Sequence, residues 1–171
     1  YQDKEYIATL KGVDDKFHSI NSIDSMVVSG NYLTNFDNNN CVVGQGVAYF
    51  LSMGIGDMFD QLQVFVPNRE KKSLLQAESA FIQKSLVPVG IFSIQAEFDS
   101  EYVLAPISFL RNILNKANQS TYIEVFCEDS QILDLQQKIQ KQIGSDYKLE
   151  NRYEQHAFLY KLLNSEKLIV Y

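Results

Sequence analysis

Glu97, Asp99 and Glu101 stand at alternate positions within residues 94–104. Carboxylates this close could share acid–base work or hold a Ca²⁺ ion. A calcium loop also needs a glycine for its sharp turn, and none interrupts this segment; no further cluster of ligands lies beside it. The segment therefore reads as a solvated turn ahead of a strand at 102–104. Gly44-Gln45-Gly46 opens a dinucleotide-type fingerprint but does not complete it. Tyr49 stands where the third glycine belongs, and no lysine is followed by Ser or Thr in the P-loop manner. These glycines instead suit positive φ and the close seating of a helix on a strand. Cys41 and Cys127 both fall in apolar, strand-like runs. They read as two buried thiols on neighbouring strands, and a disulfide stays open because spacing does not decide it. His18 and His156 are far apart and alone. With no Ser/His/Asp or Cys/His grouping and no metal-ligand spacing, the residues point away from an enzyme and imply no cofactor.

The chain of 171 residues is 46% hydrophobic and 21% charged, enough for one domain or two small lobes with a sizeable core. Its net charge of −6 disfavours nucleic acid as a partner, because phosphate contacts need clustered Lys and Arg. No run of about 18 apolar residues occurs. The chain opens on Tyr1 and closes inside an apolar stretch. The expectation is a piece cut from something longer.

The elements that must position any site follow from periodicity. Residues 1–13 alternate as a strand closed by Gly12. A turn or short helix is expected at 16–20, a loop with some helix at 22–29, a turn at Gly30-Asn31-Tyr32 and a polar loop at 35–40. Cys41-Val42-Val43 is a buried strand end. It leads into a short helix from Val47 that Gly54 and Gly56 stop. After a Gly56-Asp57 turn, Leu62, Val64 and Val66 alternate with Gln61, Gln63 and Phe65 in a strand ended by Pro67. Residues 68–79 are charged, and 80–92 are apolar again, which predicts two strands with a long excursion between them. Such an excursion is either a functional loop or a solvated hairpin tip. Pro106 opens a helix over 107–116 with Ile107, Leu110, Ile113 and Leu114 on one stripe. A strand at 121–127 and a helix at 131–143 follow. The helix is capped by Ser130, stopped by Gly144 and striped with Ile132, Leu135, Ile139 and Ile143. A strand at 147–153 completes a β-α-β lobe. From Glu154 the pattern is helical, either a helix heading for a membrane or an ordinary terminal core helix.

In order and spacing, several pieces resemble one family. They are Gly12-Val13-Asp14, Val42-Val43-Gly44 with Ala48 and Leu51, Gly56-Asp57 before a strand ended by Val66-Pro67, Val89-Gly90-Ile91-Phe92, Glu97-x-Asp99, and Glu154 with Glu166-Lys167. The chain resembles the MacB-like extracytoplasmic domain of FtsX-type ABC transporter permeases, and within them the lipoprotein-releasing LolC/LolE branch.

The resemblance implies an α+β fold. A β-rich sabre-like lobe would span 1–118 with a hairpin excursion at 67–83. The C-terminal piece of a β-α-β porter-like lobe would span 119–153, its first piece falling before residue 1. A helix at 154–171 would lead toward a transmembrane segment. It implies no catalysis and a place on the periplasmic side of the bacterial inner membrane. Partners would be a periplasmic lipoprotein carrier of the LolA kind and, through the full-length chain, a transmembrane permease partner and a cytoplasmic ATPase. The excursion stands where LolC-type members carry a carrier-gripping hook. That gives hook-like roles to Pro67, Arg69, Lys71, Lys72, Leu74 and Leu75, with the two leucines as apolar tip and the cations steering toward an acidic face. Gln63, Gln83 and Lys84 fall at the positions of the adjacent polar pad. The family's Phe-Thr-Pro-Met-Gly type of hook centre is replaced by Lys71-Lys72-Ser73-Leu74-Leu75, and a LolE-like subunit without a working hook stays open. The alternative within the class is a MacB-like efflux or FtsX-like regulatory permease.

Overall fold

Cys41, Val42 and Val43 have no exposed surface, and the fold is built outward from them. A strand covered on both faces reads as a continuous apolar run rather than an alternating one. In the computed structural model, which describes residues 4–36, 38–55, 61–67 and 80–155, this run is the middle of strand β3 (Asn40–Gly44). The chain divides into two units, Tyr1–Thr121 and Tyr122–Tyr171. The architecture is α+β, with a six-stranded mixed sheet in the first unit.

The other strands are β1 (Thr9–Val13), β2 (Val27–Gly30), β4 (Leu62–Pro67), β5 (Phe81–Phe92) and β6 (Tyr102–Pro106). Their order is β1-β6-β3-β5-β2, with β4 also on β5. β1 runs parallel to β6, β3 antiparallel to β6, and β3 parallel to β5. β5 is the longest, at 12 residues, and is shared. Its second half pairs with β3 and β2, and its first half pairs with β4 alone, from Leu62 opposite Leu86 to Pro67 opposite Phe81.

Helices close both faces of the sheet. Cys41 and Val43 pack with Val47, Ala48 and Leu51 of α2 (Gln45–Leu51) and with Phe109 and Ile113 of α4 (Ile107–Ile113). Val42, on the opposite face, packs with Val13, Ile23, Leu33, Phe92 and Leu104. A short helix α1 (Phe17–Asn21) and a 3₁₀ turn (Ile23–Met26) precede β2. Between β5 and β6 lies α3 (Ala96–Glu101).

Several expectations are corrected. The first strand covers Thr9–Val13 only, and Gly12 sits inside it opposite Ala105, where Leu110 and Ile107 leave little room for a side chain. Ser52, at φ 53°, ends α2 rather than Gly54, and Gly56 and Asp57 lie outside the described residues. The acidic segment is a helix rather than a turn. In α4 it is Phe109 that is buried with Ile113, while Leu114 is exposed.

In the second unit, α5 (Ile132–Ile143) ends at Gly144, φ 72°, as the sequence predicts. Its start is a 3₁₀ turn at Asp129–Gln131 rather than a Ser130 cap. Residues 121–127 and 147–150 form no strand, so no β-α-β lobe is made among the described residues. A strand exists through its ladder, and the β-prone side chains of Tyr122, Ile123, Val125 and Phe126 here find none and remain exposed. The chain enters α6 (Arg152–Gln155) where the end of a strand is expected.

Candidate functional site

The ribbon of β4 and β5 has two unlike faces because successive strand residues point to opposite sides. Leu62, Val64, Val66, Ile82 and Leu86 turn inward to the core. On the outer face, Gln63 lies opposite Ser85, Phe65 opposite Gln83, and Pro67 opposite Phe81. The Gln63 Oε1 accepts hydrogen bonds from Gln83 Nε2 at 3.2 Å and from Ser85 Oγ at 3.1 Å. Phe65 and Phe81, diagonal neighbours across the ribbon, are 56% and 54% exposed. The result is a wall of two aromatic rings beside a fixed amide pair, with no ionisable group in it. Such a surface can bury apolar area and offer amide hydrogen bonds to a partner; it has nothing to move protons with.

Of the residues expected to bind a partner, Gln63 and Gln83 are thus brought together. Pro67 closes β4 at the same end of the ribbon. Lys84 is not part of that face. It lies on the opposite side and lines a cleft with Asn38, Asn39, Ser108, Phe109 and Asn112. Arg69, Lys71, Lys72, Leu74 and Leu75 lie outside the described residues.

The residues that suggested chemistry are positioned for structure. Side chains two apart on a helix do not face each other, so Asp99 parts from Glu97 and Glu101, which are four apart and share one side of α3. Glu101 Oε1 accepts from Thr9 Oγ1 at 3.2 Å. Asp99 is 7% exposed and folds back on the turn before its own helix. Its Oδ1 accepts from the Ile94 N–H at 2.8 Å and the Gln95 N–H at 3.4 Å, and its Oδ2 from the Ser93 hydroxyl at 2.8 Å. Gly44 and Gly46 serve this contact. A β-carbon on Gly44 would lie 2.3 Å from the Asp99 carbonyl oxygen, and one on Gly46 would lie 2.4 Å from Ser100 Oγ. Close seating of a helix is therefore the glycines' role, while positive φ is not: Gly44 has φ −63°. Among the described residues, no three His, Cys, Asp or Glu side chains are grouped to hold a metal.

Both cysteines are free thiols. Cys41 is sealed in β3, where burial pushes its thiol far above the ordinary range and makes it inert. Cys127 is half-buried and lies outside any strand, which corrects the expectation of two strand thiols. The His18 ring stacks obliquely on Tyr32 at 5.9 Å. The His18 Nδ1 and the Tyr32 hydroxyl are both buried without a hydrogen-bond partner. Burial, with Asp24 and Asp14 adding to it, pushes the Tyr32 phenol up to about 12. His156 lies outside the described residues.

One arrangement escaped the reading by periodicity. Asn151 Oδ1 accepts from the Tyr153 and Glu154 N–H groups at 2.9 and 3.0 Å, and Glu154 Oε2 accepts from the Asn151 N–H at 2.9 Å. This is a reciprocal capping box at the start of α6. Both residues also bond Gln136 of α5, at 2.8 Å from Glu154 and 2.9 Å from Asn151. The signal was present as Asn151-x-x-Glu154, which begins inside the expected strand 147–153 and ends one residue past it.

No helix among the described residues is long and apolar enough to cross a membrane. No model of a known family matches the chain, and a search of curated proteins finds no match.

Proposed function

We propose that this chain is the extracytoplasmic domain of an FtsX-type ABC transporter permease of the LolC/LolE kind. In this reading it carries out no bond chemistry. It relays movement driven by ATP hydrolysis in a cytoplasmic subunit, and it meets a periplasmic lipoprotein carrier on the outer side of the inner membrane. The observation that carries the proposal is the ribbon. Two strands pair only with each other from Leu62/Leu86 to Pro67/Phe81 and so frame residues 68–80, the hook position of the resemblance. Its outer face presents Phe65, Phe81 and the Gln63–Gln83 pair, a surface suited to a protein partner. The six-stranded α+β unit is compatible with a sabre-like lobe.

The test is capture of a purified LolA-like carrier from the same genome on the immobilised full chain. Binding is expected. Leu74→Asp with Leu75→Asp should abolish it, and Phe65→Ala with Phe81→Ala should weaken it about tenfold or more, as removal of interface aromatics does. Absence of binding by the native chain, or full binding by the double aspartate variant, overturns the hook assignment.

A further inference from the structure

Lys84 lines a cleft that the ribbon reading does not use. Three elements line it. Asn38 and Asn39 come from the loop before β3, Lys84 from β5, and Ser108, Phe109 and Asn112 from α4. Ser108 and Asn112 are four apart and therefore share one side of that helix. The cleft holds about 250 Å³, room for roughly eight waters at ~30 Å³ each. That is smaller and more polar than the usual pocket for a drug-sized ligand.

Phe36 and Asn39 are tied to the neighbouring elements. The Val87 N–H donates to the Asn39 carbonyl at 2.7 Å, and the Ser108 hydroxyl donates to the Phe36 carbonyl at 2.7 Å. Asn38 Oδ1 accepts the Asn40 N–H at 3.1 Å, which leaves its Nδ2 hydrogens to be donated. The side-chain amides of Asn39 and Asn112 and the ammonium of Lys84 have no partner among the described residues. Among the described residues, the lining thus offers one ammonium and three amide donors and no carboxylate. Donors of this kind, lining one cleft together with a cation, suit the oxygens of a small oxyanion, which take short, charge-assisted bonds.

We propose that this cleft is a binding site for a small oxyanion, held by Lys84 and oriented by Asn38, Asn39 and Asn112. The proposal does not rest on the transporter reading. The chain's overall charge of −6 opposes anions at long range, so affinity has to come from these local donors. Dissociation constants of about 1 mM are expected for such a small, partly open site.

The experiment is a ¹H–¹⁵N NMR titration of the full chain at pH 7 with inorganic phosphate and, separately, with succinate, against sodium chloride at matched ionic strength. Saturable shifts are expected at the side-chain amides of Asn38, Asn39 and Asn112 and at the backbone amides of Lys84 and Ser108. Saturation by phosphate alone identifies a phosphate-type ligand, and by succinate a carboxylate; either supports the site. Lys84→Gln should weaken binding about tenfold or more, whereas Lys16→Gln should leave it unchanged. Lys84 is exposed, so its variant folds, which an unchanged spectrum elsewhere verifies. Shifts that never saturate, that chloride reproduces, or that survive Lys84→Gln overturn the proposal.

Discussion

Replacing Asp99 with alanine removes a carboxylate that holds three groups of the turn before α3. Two of its bonds, to Ser93 Oγ and Ile94 N, are 2.8 Å long, and the third, to Gln95 N, is 3.4 Å. A bond to a charged group is worth about 1.5–3 kcal/mol net. The two short ones together suggest ~3–6 kcal/mol, an upper range because water can re-enter the turn. Ile94 is half exposed, so part of that loss is recovered. The expectation is about 3 kcal/mol, which in a unit of this size lowers the melting temperature by roughly 10–15 °C. Asp99→Asn keeps one acceptor oxygen and should lose about half as much. The assay is thermal and urea unfolding of the whole chain followed by far-ultraviolet circular dichroism, with the urea slope unchanged. A carboxylate with no structural duty would cost within ~0.5 kcal/mol. A loss below about 1 kcal/mol would therefore refute the reasoning. So would a melting temperature of the native chain that Ca²⁺ raises and that Asp99→Ala leaves indifferent to Ca²⁺, since the acid would then be a ligand.

Two further predictions rest on titrating groups. The Tyr32 phenol is raised from 10.0 to about 12, so the folded state favours its neutral form. That contribution is complete below pH 10 and is lost as pH rises toward 12. Tyr32→Phe should therefore lose less stability than the native chain across that window, by urea midpoints at each pH. At neutral pH it should be neutral or more stable, because the hydroxyl it removes is buried without a partner. Equal alkaline losses in both proteins would contradict this. Glu154 is held below the ordinary carboxylate range by its backbone bond from Asn151 first and its bond from Gln136 second. Its contribution is present above the unfolded carboxylate's pKa and fades as pH falls through the lower folded value. Glu154→Gln should flatten the acid side of the second unit's stability profile, and Asn151→Ala should cost about 1 kcal/mol as a lost N-cap. An acid profile unchanged by Glu154→Gln would reject the capping role.

The physics of the chain explains why some elements could be read from it and others not. The alternation of Leu62, Val64 and Val66, the unbroken apolar run at Cys41-Val42-Val43, the helix after Pro106 and the stop at Gly144 are local signals. Burial and backbone geometry enforce each of them within a few residues. Residues 121–127 are rich in β-prone side chains and 147–153 holds two tyrosines, yet strand is a property of pairing, and neither has a ladder among the described residues. Asp99 read as part of a solvated turn because sequence shows a carboxylate's charge and hides its partners, which here are the amides and hydroxyl of the turn before its own helix. The split between Gln83 and Lys84 was implicit in strand periodicity, since neighbours in sequence must take opposite faces. What sequence could not show was the asparagine-lined wall awaiting Lys84, which is assembled from residues 24 to 46 positions away.

The twelve-residue span of β5 gives the unit a particular mechanics. A single covalent backbone runs from Phe81, beside the ribbon's far end, to Phe92 at the middle of the sheet. A tug applied along that backbone reaches the ladders with β3 and β2 lengthwise, while their hydrogen bonds lie across the strands. Those bonds are then loaded side by side and resist together instead of opening one after another. The sheet would answer a pull on its ribbon as a stiff rod set in a block, moving bodily before it frays.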